Sequence, residues 1–215
     1  VRSKAQGGWT LLEVLIAAGL SFLLLGLIVT FLIPVLRYSG RGALRVELQQ
    51  QVRVGLQRIL EDLQRSTASG VSLLESDGQG GPVALGIVRL EELTAEAEQV
   101  WETQVVVYCW QPDTGRLIRK TWPPAPPASL NPGLDPGKPT RLEPAELRLI
   151  AEEKNGTEVS VARDIALFEV SHAGSGASLQ PPLVLKLVGQ ATPPGGTEPE
   201  RFEETRSVSL RNASL

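Results

Sequence analysis

Gly7-Gly8-Trp9-Thr10-Leu11-Leu12-Glu13-Val14-Leu15-Ile16 opens a run that stays apolar to Leu36, interrupted only by Gly19, Ser21, Gly26, Thr30 and Pro34. A helix needs about 20 mostly apolar residues to cross a bilayer, so residues 9–36 are long enough to do so. They hold one charge, Glu13. A carboxylate at mid-membrane costs about 2.5–3.5 kcal/mol on insertion scales, so Glu13 either lies at the interface or has a partner. At the interface it is favoured by the positive end of the helix macrodipole. A secretory signal peptide, cut near Ser39-Gly40 or Gly42-Ala43, is the competing reading. Its apolar region would run only about 7 to 15 residues, well short of this one.

Basic residues stand on both sides of the run, Arg2 and Lys4 before it and Arg37, Arg41 and Arg45 after it. Charge counting therefore does not orient the span. Pro34 removes a backbone donor and is expected to kink or loosen the helix near its far end. From Ala43 the pattern turns amphipathic: Leu44, Leu48, Val52, Leu56, Ile59, Leu60 and Leu63 recur every three or four residues between Gln49, Arg53, Gln57, Arg58 and Glu61. That spacing predicts a helix with one buried stripe, continuing the first over residues 37–67 and stopped by Ser66, Ser69 and Gly70. A short juxtamembrane helix in a single-pass protein predicts the same stripe.

Beyond Gly70 the periodicity approaches two, which predicts strands at 83–90, 100–110, 116–122, 146–151, 157–162, 165–172, 183–189 and 202–211. Asp113-Thr114-Gly115 and Lys154-Asn155-Gly156 read as hairpin turns. In Leu183-Val184-Leu185-Lys186-Leu187-Val188 the odd positions are expected to face the core. Half of the sixteen prolines fall in residues 122–144, which reads as an extended loop with no helix or strand of its own, either a stiff linker or a docking segment. The fold class is α+β, a long N-terminal helix packed on antiparallel sheet over residues 68–215.

Composition narrows the chemistry. The chain has 215 residues and a net charge of −3, so no overall basic footprint points to nucleic acid. Arg116, Arg119, Lys120 and Trp122 are the only basic, aromatic cluster, and a charged sheet face explains them as well as a nucleic-acid strip does. Cys109 and His172 are the sole cysteine and histidine. No intrachain disulfide can form, zinc-ligand clusters are lacking, and Cys109 reads as a small buried hydrophobe and His172 as a solvated strand end. Glu91-Glu92 and Glu152-Glu153 are adjacent on expected strands and so face opposite ways, which suits solvation rather than acid–base work. Asp77-Gly78-Gln79-Gly80-Gly81 has too few oxygen ligands for calcium. No catalytic residue, metal site or cofactor is expected, and the chain does not read as an enzyme.

Gly8 followed by bulky Trp9, then Thr10-Leu11-Leu12-Glu13 heading a membrane-length helix behind a short basic leader, resembles the class III signal of type IV pilins and pseudopilins. The resemblance implies that a prepilin peptidase removes residues 1–8 on the cytoplasmic side, cutting between Gly8 and Trp9, and N-methylates Trp9. It implies that Glu13 sets subunit register by meeting the N-terminal amine of a neighbour, and that Pro34 lies in a loosened stretch that helps the subunit leave the bilayer. Trp9 departs from the family's usual Phe. The order of elements, with Val107-Tyr108-Cys109-Trp110 through Arg119, residues 161–170 and Arg206-Ser207-Val208-Ser209-Leu210-Arg211-Asn212, is similar to PilW-like minor pilins and the J-type minor pseudopilins of type II secretion. The expected function is then a minor subunit of a pilus or pseudopilus at its tip or initiation complex. Its partners would be the peptidase, other minor subunits and the inner-membrane assembly platform. The chain would be single-pass in the inner membrane with its C-terminal part outside, before entering the filament. Nucleic acid would be a partner only in a competence pilus. The alternative is an anchored protein whose outer domain binds a ligand.

Overall fold

The computed structural model describes residues 10–75, 83–93, 99–123, 139, 141–153, 158–174, 179–194, 196 and 198–210. The leader residues, Trp9, Asp77, the Lys154-Asn155-Gly156 turn and most of the proline-rich stretch lie outside that set. Helix α1 is assigned from Leu11 to Gln64 and contains Pro34. Two compact units are present, Val1–Ala43 and Leu44–Leu215.

In the second unit, β1 (Val71–Leu74), β2 (Val83–Leu93), β3 (Gln99–Gln111), β4 (Arg116–Trp122) and β5 (Val159–Ala162) form one antiparallel sheet in that order. β6 (Ile165–His172), β7 (Leu183–Ala191) and β8 (Glu200–Val208) form a second antiparallel sheet. The stripe expected on α1 is buried: Val52, Leu56, Ile59 and Leu63 share one core with Val83, Leu85, Ile87, Val106 and Tyr108 of the first sheet and Phe168, Leu183, Leu185 and Leu187 of the second. The odd positions of β7 thus face inward as their alternation predicts. Two glycines let helix and sheet approach closely. A Cβ on Gly55 would stand 3.1 Å from the Leu187 side chain, and one on Gly189 would stand 3.0 Å from that of Val52.

The other face of the first sheet carries α2 (Pro144–Glu152), where the sequence pattern predicts a strand. Local chemistry decides for helix. Glu143 at the N-cap and Glu146 at N3 form a reciprocal capping box, and Pro144 at the start has the fixed φ a first turn needs. Leu147, Ile150 and Ala151, three and four apart, then meet Ala84, Val88, Val105, Val107 and Cys109 in a second core. Because α2 precedes residues 154–156, that turn does not join two strands. The proline-rich stretch is likewise bounded by structure, with Trp122 ending β4 and Pro144 opening α2. Strand β1 was not anticipated. The helix also stops at Gln64, short of the expected Thr67, and a 3-10 turn at Ala68–Gly70 leads into β1. Covered on both sides, the middle of β2 and β3 is apolar at every position, which is why 105–110 reads as a continuous run rather than an alternation.

Candidate functional site

Three places could carry function: the apolar half of α1 with Glu13 at its head, a charged cluster beneath the end of α1, and a groove beside His172.

At the head of α1, the backbone N–H and hydroxyl of Thr10 donate to Glu13 Oε2 at 2.9 and 3.0 Å, and the Glu13 N–H donates to Thr10 Oγ1 at 3.3 Å. The first helical bond runs from Val14 N–H to Thr10 O at 3.2 Å. This is a capping box with Thr10 at N-cap and Glu13 at N3. Its Thr-x-x-Glu signature stands in the sequence and adds two hydrogen bonds to the macrodipole's pull on Glu13. Gly8 and Trp9 lie outside the described residues. Every residue from 11 to 36 is exposed, the large apolar side chains ranging from Leu11 at 83% to Val29 at 45%. The helix is long and apolar enough to cross a membrane. An apolar surface this large on one chain marks a site for lipid or for other apolar helices. The helix polar groups turn inward: Ser21 Oγ donates to Ala17 O at 2.8 Å and Thr30 Oγ1 to Gly26 O at 2.7 Å. Pro34 cannot donate to Thr30 O, so one helical hydrogen bond is missing there.

In the second unit, Asp62 in the last turn of α1 is buried. Its Oδ1 accepts from Arg89 at 3.0 Å, and its Oδ2 accepts from Arg119 Nε at 3.0 Å and the Tyr108 hydroxyl at 2.6 Å. Arg89 also pairs with Glu102 at 2.6 Å. Burial raises the Asp62 pKa, but the hydrogen bond from Arg119, that from Tyr108, the charge of Arg119 and the bond from Arg89 outweigh it and hold the carboxyl below its usual range. Burial and then the Asp62 hydrogen bond push the Tyr108 phenol upward. A carboxylate at a helix C-terminus opposes the macrodipole. Two guanidiniums from β2 and β4 reverse that penalty and fix helix to sheet.

Lys120 is buried on the opposite face of β4, donating to Ala151 O at 2.9 Å and Glu153 O at 2.6 Å and pairing with Glu158 at 2.8 Å. It caps the end of α2. Arg119 and Lys120 therefore point to different partners on different faces, and Trp122 Nε1 donates to Glu153 at 3.2 Å. The four residues of the sequence cluster do not make one basic strip. Replacing Lys120 by Met leaves the last carbonyls of α2 without a donor, and should cost about 2–3 kcal/mol. Hydrogen exchange should show the loss in the amides of 147–152 ahead of those in β7. Equal protection of α2 in both proteins would refute the capping role.

Cys109 and His172 belong to different sheets, and Cys109 lies in the core beneath α2. Burial pushes its thiol up to about 11. It should stay unreactive toward a thiol reagent at pH 8 until the chain unfolds, and stoichiometric labelling of the native protein would contradict this. His172 is not a freely solvated strand end. It is half-buried, and its Nδ1 is enclosed with no hydrogen-bond partner among the described residues. It lines a groove of about 720 Å³ with Leu73, Leu74, Leu142 and Leu179. Among the described residues no three His, Cys, Asp or Glu side chains gather as metal ligands. Glu91 and Glu92 are exposed.

No family model, curated protein or solved structure matches this chain.

Proposed function

We propose that the chain is a minor pilin or pseudopilin, processed between Gly8 and Trp9, N-methylated on Trp9 and assembled into a filament through residues 9–36. One observation carries the reading. The Gly8-Trp9-Thr10-Leu11-Leu12-Glu13 signal heads an apolar helix that is exposed along residues 11–36, while its C-terminal part is the seat of a folded antiparallel-sheet unit. A helix that only anchored a receptor would need neither that signal nor a carboxylate at its head. In a filament the exposed apolar side chains would be covered by equivalent helices, and Glu13 would meet the amine of a neighbouring Trp9 away from water, where an unpaired charge is costly. Peptidase, fellow minor subunits and the inner-membrane platform are the partners this role requires, with the sheet unit outside the membrane.

Intact mass and N-terminal sequencing, on protein recovered from a host carrying a prepilin peptidase, test the proposal. A chain beginning at N-methyl-Trp9 is expected. A chain retaining Val1 would instead support the anchored-receptor reading, which the groove at His172 favours. A start near Ala43 would make this a secreted domain.

A further inference from the structure

The charges that follow the apolar run are not absorbed by that function. Between Glu13 and Glu47 the chain has no acidic residue, and Arg37, Arg41 and Arg45 are its only cations there. Arg37 and Arg41 both fall in the first compact unit and on α1. Four residues turn a helix through about 400° and advance it about 6 Å, which sets these two positions on one face, one above the other. Arg41 is exposed and has no hydrogen bond or ion pair among the described residues. Arg53, Arg65, Arg89 and Arg119 all hold carboxylates. Tyr38 lies between the two arginines and is 75% exposed, an amphipathic ring of the kind that sits at headgroup level.

From these observations we infer that the Arg37–Arg41 face of α1 binds the phosphate headgroups of acidic phospholipids in the leaflet where the apolar run ends. Depth and chemistry agree. The run ends at Leu36, so position 37 follows the hydrocarbon directly and position 41 is about 6 Å further along the helix, within the headgroup layer and the first Debye length. Guanidinium groups bind phosphate oxygens through paired N–H donors, and the face carries no carboxylate to compete. Bound headgroups would hold the subunit at a set depth and add to the work of drawing it into a filament. The inference rests on the membrane-span part of the proposed function and not on the prepilin signal, so uncleaved chain would leave it standing.

The test uses the full chain in vesicles, carrying Arg2→Gln, Lys4→Gln and Arg45→Gln so that Arg37 and Arg41 are the basic residues left flanking the span. Electron spin resonance then compares spin-labelled phosphatidylglycerol with spin-labelled phosphatidylcholine in the motionally restricted shell. At low salt the acidic lipid is expected to be enriched at least about fivefold, since each basic residue near an acidic surface contributes on the order of that factor. Arg37→Gln with Arg41→Gln should bring the ratio to about one, as should 1 M salt. Arg37→Lys with Arg41→Lys should keep most of the enrichment, and Arg58→Gln, which removes one charge further along α1, should leave it unchanged. Equal association of the two lipids with the unsubstituted face would overturn the inference and leave the arginines to an acidic protein surface. So would enrichment that survives the double glutamine variant, or that is lost equally with Arg58→Gln.

Discussion

Asp62→Ala is expected to destabilise the folded unit by about 3–5 kcal/mol, the range for removing one partner of a buried ion pair. The cost is not the three hydrogen bonds alone. Arg89 keeps Glu102, but among the described residues Arg119 and the Tyr108 hydroxyl are left facing only each other, so a half-enclosed guanidinium and phenol remain without a carboxylate. Urea unfolding of the full chain in detergent, followed by tryptophan fluorescence, to which the buried Trp101 contributes, measures the loss. A cost below about 1 kcal/mol would show that the cluster is incidental to stability. The same residue predicts a pH dependence. The folded carboxyl titrates below the unfolded one, so at acid pH the unfolded chain binds more protons. The contribution of Asp62 is complete above the unfolded value of about 4 and is lost as pH falls through the lower, folded value. Wild-type stability should therefore drop more steeply than that of Asp62→Ala below about pH 4, and parallel curves would refute the assignment.

What could be read from the chain alone follows from how local each signal is. The apolar run, the stripe from Leu48 to Leu63 and the strand at 165–172 are set by neighbours within a few residues, and the structure carries all three. Asp62 looked like one more polar position between Leu60 and Leu63. Its meaning depends on residues 89, 108 and 119, and no pattern along α1 points to them. Residues 146–151 were misassigned for a different reason. Leu147, Leu149 and Ala151 alternate like a strand, while Leu147, Ile150 and Ala151 fit a helix, and so short a window does not separate the two periods. The Glu143-Pro144-Ala145-Glu146 cap separates them, and it was visible in the sequence. His172 shows a third limit, since enclosure of one ring nitrogen is a property of the groove around it and not of its strand.

Glu13→Gln should separate two roles that Glu13→Ala removes together. In the single chain Glu13 closes a capping box on Thr10, and a glutamine at N3 can make the same reciprocal bonds. If capping were the whole role, Glu13→Gln would behave as wild type and Glu13→Ala would only fray the first turn. Filament assembly asks for something else. An amine from a neighbouring Trp9 would have to leave water among apolar helices, and only an ionised partner offsets that cost. Both variants should then be cleaved normally after Gly8, since the cut lies five residues before the substitution, and both should enter filaments at least about tenfold less than wild type. The readout is the ratio of processed chain in sheared filaments to processed chain in membranes, in a host with peptidase and platform. Normal incorporation of Glu13→Gln would reduce Glu13 to a cap. Loss of cleavage in either variant would place the residue in peptidase recognition instead. Poor incorporation of both with intact cleavage would make the charge, rather than the hydrogen bonds, the feature that sets the register between subunits.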